Sequence, residues 1–266
     1  MTKKYLIIGN PVSHSLSPQI HNYWFNQNKI DSVYEKKELN EKELPDIVKN
    51  IRDGEISGIN VTVPFKQKII PFLDKLSKLS KKTQSVNTIY LRDNEVIGDN
   101  TDVYGFVKSI KDTGIKLKDK VALIVGAGGV VPSIICALQE LLLKKIYLAN
   151  RTFKKAEQLK EKYPKLEIVK WDELVDFDII INATSVGLKV EDKIELNLKK
   201  LDGKKFFYDT IYNPPTTDFL NKAKINGHLS MNGKLMLIYQ AQKSFEFWNG
   251  FLPEVDEKFL NLFQND

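Results

Sequence analysis

The aliphatic run Lys120-Val-Ala-Leu-Ile-Val125 passes directly into Gly126-Ala127-Gly128-Gly129 and then into residues 130–143, a stretch with apolar residues all round. The first part reads as a buried strand and the last as a helix packed under a sheet, so the glycines fall at a tight strand-to-helix turn. No other feature restricts the fold so sharply. The alternation continues downstream, with strands expected at 146–149, 168–169, 178–182 and 206–209 and a helix at 153–163. Strand, helix and strand in repetition predict a parallel, doubly wound sheet.

Upstream of the glycine turn the same two segment types recur. Strands are expected at 5–8, 58–63, 88–91 and 95–98, the last two joined by an Arg92-Asp93-Asn94 turn. Ser17 and Pro18 read as the N-cap and first residue of a helix reaching 28, a second helix spans 41–52, and a third opens at Pro64. An amphipathic helix is expected at 235–248. The fold class is therefore α/β, with an N-terminal α/β unit over 1–101 and a Rossmann-like, doubly wound unit over 102–234. A C-terminal helical segment, 235–266, is expected to pack back on the first unit. Two units joined near 100 and 234 are expected to form a cleft that opens and shuts.

With 266 residues, 42% hydrophobic and 28% charged, the chain has the composition of a globular protein that can bury a sizeable core. Cys136 is the lone cysteine, which excludes an intramolecular disulfide and a cysteine-rich zinc site. The opening apolar run is broken by Gly9 and Pro11, too early for a signal-peptide core or membrane span, so a cytoplasmic setting without membrane contact is expected. The net charge of +6 does not point to nucleic acid. Arg52, Arg92 and Arg151 are the only arginines among 40 basic residues, and the lysines are spread between acids, as on a solvated surface. His14, His21 and His228 show no metal-ligand spacing, and no metal is expected.

At a strand-to-helix turn, glycines let a pyrophosphate approach the helix N-terminus, whose free N–H groups attract anions. The third glycine of G-x-G-x-x-G is replaced by Val131, so the match is partial, and a structural turn in another α/β fold is the alternative. At the end of the next strand, where a carboxylate would take the ribose of NAD, stand Asn150, Arg151 and Thr152. A guanidinium there favours a 2′-phosphate, hence NADP, unless Arg151 merely starts the next helix.

Four upstream motifs place polar groups at element ends. Ser13-His14-Ser15-Leu16-Ser17-Pro18 sets hydroxyls at a helix start, where capping alone would account for Ser17. Asn60-Val-Thr62-Val-Pro-Phe-Lys66 puts Asn60 and Thr62 on one strand face and Lys66 in a first helical turn, where a cation opposes the dipole. Ser85-Val-Asn87-Thr88 and Gly98-Asp-Asn-Thr101-Asp102 add an amide, hydroxyls and a carboxylate, although Asp102 would also serve as a cap.

In this order, and followed by the glycine turn, these motifs resemble the shikimate dehydrogenase family. The likeness continues through Asn150-Arg-Thr152, Asn182-Ala-Thr-Ser185 with Gly187, Tyr212-Asn-Pro214 and Gly233-x-x-Met236-x-x-x-Gln240. It implies reversible NADPH-dependent reduction of 3-dehydroshikimate to shikimate, on the way to chorismate and aromatic amino acids. By the same resemblance Ser15 and Ser17 hold the substrate carboxylate, and Asn60, Thr62, Asn87, Tyr212 and Gln240 contact or approach the ring hydroxyls. Lys66 and Asp102 are the implied catalytic pair, which also touches substrate. NADP is expected on Gly126, Ala127, Gly128, Gly129 and Val130, on Asn150, Arg151 and Thr152, and on Thr184, Ser185, Thr210, Gly233 and Met236.

The stretch Val130-Val131-Pro132-Ser133 departs from the small residues the family usually has there, and Asn232 and Lys234 stand where it often has Asp and Gly. These leave cofactor preference open. The rival readings are a quinate/shikimate dehydrogenase using NAD, against which Arg151 counts, and a non-catalytic NADP-binding sensor, which would have no need of Lys66 with Asp102. The expected partner is a small molecule, and the chain is expected to work as a monomer or homodimer.

Overall fold

The structure is a computed structural model that describes residues 2–171, 173, 175–189, 191–194 and 201–262. It divides into two compact units, Met1–Gly105 with Ile238–Leu260 and Phe106–Leu237 with Asn261–Asp266.

In the first unit, β1 (Lys3–Gly9) lies parallel to β2 (Ser32–Glu38) and β3 (Gly58–Val61). Beyond β3 come β5 (Thr88–Arg92) and β6 (Glu95–Asp99), an antiparallel hairpin, and then β4 (Lys75–Leu76), parallel to β6. Asp93 and Asn94 both have positive φ, 53° and 61°, as a two-residue hairpin turn requires, while Arg92, expected in the turn, is the last residue of β5. Flanking these strands are α1 (Ser17–Gln27), α2 (Leu44–Arg52) and the short α3 (Lys78–Thr83). Leu44, Ile47, Val48 and Ile51 form the buried stripe of α2 and pack with Leu6, Ile8, Ile59 and Val96. Strand β2 was not anticipated because charge dominates its pattern. Its Glu35, Lys36, Lys37 and Glu38 are exposed, which suits a sheet edge.

Two expectations in this unit need correction. Ser17 is not an N-cap: α1 starts at Ser17, Leu16 precedes it, and no side chain caps the helix. Nor does a helix open at Pro64. Residues 63–69 form successive turns that lead into a 3-10 turn at Ile70–Phe72, where Pro71 has no N–H to continue a helical ladder. Lys66 therefore sits in a turn, and the cost of a cation opposing a helix dipole does not arise.

The helix α4 (Asp102–Asp112) leads to the second unit, whose sheet runs β12-β11-β10-β7-β8-β9 with every neighbour parallel. Its strands are β7 (Val121–Val125), β8 (Lys145–Ala149), β9 (Leu166–Val169), β10 (Ile179–Asn182), β11 (Phe206–Asp209) and β12 (Leu229–Met231). Chain order reverses between β7 and β10, the switch point at which doubly wound sheets bind ligands. Two helices, α5 (Val131–Glu140) and α6 (Phe153–Lys162), fulfil the expected pattern, and α5 buries Val131 through Leu138. Strand β12 and α7 (Asp218–Ile225) were not anticipated. The chain closes with α8 (Lys234–Asn249) and α9 (Glu257–Asn261). Contrary to the amphipathic reading, α8 buries Ile238 through Gln242 together with Ser244 and Phe245, so it is enclosed on more than one side. Among the described residues no helix is long and apolar enough to cross a membrane.

His21 on α1 is fully buried, stacked on Tyr34 at 4.4 Å and ringed by Trp24, Phe25, Phe245 and Trp248. Neither ring nitrogen has a hydrogen bond of acceptable geometry, although the Asn60 amide lies near enough to favour the imidazolium slightly. Burial pushes its pKa down to about 3. Because the unfolded chain takes up this proton near pH 6.5 and the folded chain does not, stability falls with pH from about 6.5 towards 3. The loss of unfolding free energy between about pH 7 and 4.5 should be smaller by about 2 to 3 kcal/mol in His21→Phe than in the unmodified chain. Equal losses in urea titrations at the two pH values would remove His21 as the source.

Candidate active site

The turn after β3 carries Lys66, whose carbonyl accepts from the Val86 N–H at 2.8 Å and is thereby tied to the strand entering Asn87. Lys66 Nζ donates to Asp102 Oδ2 at 2.6 Å, with side chains 16% and 7% exposed. Asp102 opens α4, where a carboxylate complements the helix dipole. Its Oδ1 accepts from Asn87 Nδ2 at 2.9 Å. The direction of that amide is fixed, because the Thr101 N–H can only donate and does so to Asn87 Oδ1 at 2.7 Å. Both Asp102 oxygens are thus engaged, and Gln240 of α8 joins the group through Asn87 Nδ2 at 3.2 Å.

A second layer of polar groups lies behind this pair. Tyr34 donates its phenolic proton to Asn60 Oδ1 at 2.7 Å, while Asn60 Nδ2 donates to the Asn87 carbonyl at 2.9 Å and approaches Thr88 Oγ1 and Ser244 Oγ. Ser244 and Thr88 hydroxyls lie 2.7 Å apart. Asn60 is 4% exposed with both ends of its amide engaged, so it braces the site. Tyr34 and Ser244 were not singled out from sequence. Nothing in the local pattern distinguishes them, since one sits on a charged edge strand and the other on an enclosed helix. Burial raises the Tyr34 phenol well above its ordinary pKa, with the nearby Ser17 hydroxyl opposing slightly.

Ser15 Oγ accepts from the Ser17 N–H at 3.2 Å. Ser15 remains partly exposed, whereas Ser17 is 2% exposed and turned inward. Thr62 is half-buried, and its methyl would lie 2.4 Å from a Cβ added at Gly9, a close approach that only glycine permits. Ser15, Ser17, Asn60, Thr62, Lys66, Asn87, Asp102 and Gln240 all belong to the first unit, and Tyr212 to the second.

In the second unit, register places Val125 beside Ala149 and Asn182, and Asn182 beside Asp209. The loops that follow β7, β8, β10 and β11 therefore leave the sheet at one edge. Gly126 has φ +110°, and a Cβ there would meet Thr184 Cγ2 at 2.7 Å and the Ala183 carbonyl at 2.9 Å. Gly128 and Gly129 are exposed, with open space beyond Gly129. Val130 stands at the N-cap of α5 with no side-chain cap, the Val131 N–H donates to the Gly128 carbonyl at 3.1 Å and Pro132 has no N–H, so an anion here would meet the backbone of the Gly128–Val130 turn rather than the first turn of the helix. Val131, in place of the third glycine, is fully buried and leaves the turn itself intact. These are the features a pyrophosphate needs, and the residues fit the group.

Asn150 Nδ2 donates to the Thr152 carbonyl at 2.7 Å and orders the loop that carries exposed Arg151. Beyond β10, Thr184 is half-buried and Ser185 exposed, and Thr210 Oγ1 donates to the Asn182 carbonyl at 3.0 Å. Tyr212 is half-buried, and Met236 is 7% exposed. Gly233 lies so close to Thr210 that a Cβ would be 2.3 Å from its carbonyl oxygen. Asn232, which departs from the family's usual Asp, orders its own loop by donating to the Pro215 carbonyl at 2.9 Å and accepting from the Lys234 N–H at 3.1 Å. Among the described residues no group of three or more His, Cys, Asp or Glu side chains is arranged to hold a metal.

Residues 7–89 match the family model for the shikimate dehydrogenase substrate binding domain, and residues 107–218 match that for shikimate / quinate 5-dehydrogenase. The chain belongs to the shikimate dehydrogenase family. A shikimate dehydrogenase (NADP(+)) of Pelagibacter ubique is 56% identical over 98% of this chain and 99% of its own length. The crystal structure of the Aquifex aeolicus shikimate dehydrogenase, 38% identical, superposes with a TM-score of 0.90 and covers 100% of this chain and 98% of its own. A Thermus thermophilus member, solved in complex with NADP(H) and shikimate, is 32% identical with a TM-score of 0.87 over 95% of each chain. Family membership bears out the two-unit α/β fold expected from sequence.

Proposed function

We propose that this chain catalyses the reversible, NADPH-dependent reduction of 3-dehydroshikimate to shikimate, with Lys66 and Asp102 as its catalytic pair. The observation that carries the assignment is the 2.6 Å Lys66–Asp102 contact, set among Asn87 and Gln240 in a family whose relatives are NADP-dependent shikimate dehydrogenases. When bound, the reduced nicotinamide supplies the hydride. The protein must orient the substrate and provide a proton.

As the carbonyl carbon is reduced, its oxygen gains negative charge. An ammonium in hydrogen-bond reach both stabilises that charge and delivers the proton, and Lys66 is the group to which we assign this role. Asp102 holds the Lys66 ammonium in one direction, and Asn87 in turn holds Asp102. Ser15 and Ser17 supply hydroxyls for the substrate carboxylate, and Thr62, Asn60, Tyr212 and Gln240 surround or brace the hydroxylated ring. The glycine turn would hold the pyrophosphate, and Arg151 beside Asn150 the 2′-phosphate. Thr184, Ser185, Thr210, Gly233 and Met236 complete the dinucleotide site. In this reading the protein acts in the cytoplasm on small molecules, as a monomer or homodimer, with neither nucleic acid nor membrane as partner.

Arg151→Ala should weaken NADP+ binding by about tenfold or more, the worth of a charge-assisted contact, and leave NAD+ binding nearly unchanged. Parallel titrations with the two dinucleotides check this; equal NADP+ affinity in the variant would remove the 2′-phosphate contact. The substrate assignment is tested by kcat/KM for shikimate and quinate with each dinucleotide. Shikimate with NADP+ should be the preferred pair. Preference for quinate or NAD+ would point to the sister specificity of the same fold.

A further inference from the structure

Strands β10 and β11 each end in a polar residue, Asn182 and Asp209, which are partners in the sheet register. Both are fully buried, and the proposed mechanism uses neither. Asp209 Oδ1 accepts from Asn182 Nδ2 and from the Ile211 N–H, each at 3.0 Å, and Oδ2 accepts from the Thr217 hydroxyl at 2.6 Å. Burial raises its carboxyl above the usual range, against the pull of these three donors. An acid in the interior of a sheet is costly unless its hydrogen bonds are needed.

The bonds run outward from this carboxyl group to two loops. Asn182 Nδ2 also donates to the Val186 carbonyl at 3.0 Å, so the amide has one possible direction and its Oδ1 must face the following loop. There it accepts from the Thr184 N–H at 3.0 Å and the Thr184 hydroxyl at 2.7 Å. Thr184 is the side chain against which the Gly126 turn rests. On the other side, Ile211 and Thr217 fix the two ends of the loop that carries Tyr212, and Thr217 caps α7.

We infer that Asp209 is the positioning residue of the dinucleotide face: its carboxyl group clamps the loops after β10 and β11, and so sets the seat on which the Gly126 turn receives the cofactor. The inference rests on the NADP reading proposed above. Asp209 does not touch the cofactor in this account; it acts through Asn182 and Thr184.

The test is a fluorescence titration of the full chain with NADP+, together with KM values for both substrates, in Asp209→Ala, Asp209→Asn and Thr217→Val. Leaving buried donors unpaired should raise the NADP+ Kd about tenfold or more in Asp209→Ala, and removing one donor about threefold in Thr217→Val. The KM for shikimate should rise less than the NADP+ Kd, because of the proposed substrate residues only Tyr212 lies on a clamped loop and the others belong to the first unit. Asp209→Asn keeps an acceptor for Asn182 and Ile211 and can donate to the Thr217 hydroxyl, so it should restore most of the affinity. A merely structural role would lower the melting temperature without this split between cofactor and substrate. Folded Asp209→Ala or Thr217→Val with unaltered NADP+ affinity overturns the inference, and if Asp209→Ala does not fold, Thr217→Val decides. An Asp209→Asn variant as impaired as Asp209→Ala also overturns it. If the unmodified chain fails to bind NADP+, the cofactor reading falls and takes this inference with it.

Discussion

Lys66→Ala should lower kcat by about 10² to 10⁴, the span typical of a lost general acid, with NADP+ affinity nearly unchanged. Two features of the site make the effect large. Lys66 is the only basic side chain ion-paired with Asp102 among the described residues, so no second ammonium stands ready to replace it. Its removal also leaves Asp102 Oδ2 without its donor in a position 7% exposed, where an unpaired carboxylate would oppose the negative charge developing on the substrate oxygen. Single-turnover rates and an NADP+ titration separate the two quantities. A variant with wild-type turnover would show that another group supplies the proton.

Gly126→Ala should raise the NADP+ Kd by one to two orders of magnitude while the first unit keeps its fold. Alanine at φ +110° carries strain of about 1–3 kcal/mol. The added methyl would also press on Thr184 Cγ2 and the Ala183 carbonyl, both closer than 3 Å, so the turn must move away from the loop it rests on. The far-ultraviolet spectrum checks that the variant folds and the NADP+ titration reads its affinity; equal affinity in the folded variant and the unmodified chain would mean that the turn does not seat the dinucleotide.

Much of this architecture was legible from periodicity and turn chemistry. The buried run before Gly126 has no polar residue to dilute it, so β7 and α5 were placed to within a few residues. Hairpin β5–β6 was announced by Asp93 and Asn94, residues that tolerate positive φ. What escaped was structure whose pattern depends on tertiary partners. Strand β2 is rich in charge at a sheet edge, and β4 is only two residues long. The stretch after Pro64 has the pattern of a helix start, but it forms turns, and Pro71 has no N–H to extend a helical ladder. At the site, Lys66, Asp102 and Asn87 were named from motifs and Gln240 from the family resemblance, and the structure brings them into one hydrogen-bonded group. Tyr34 and Ser244 could not be named, because their roles exist only where a charged edge strand and an enclosed helix meet Asn60.

The most direct measurement is the near-ultraviolet absorbance of the purified chain mixed with NADP+ and shikimate. Growth of the reduced-nicotinamide band, dependent on shikimate and slowed by about 10² to 10⁴ in Lys66→Ala, is the predicted result. A flat trace from the unmodified protein at saturating concentrations of both would contradict the account.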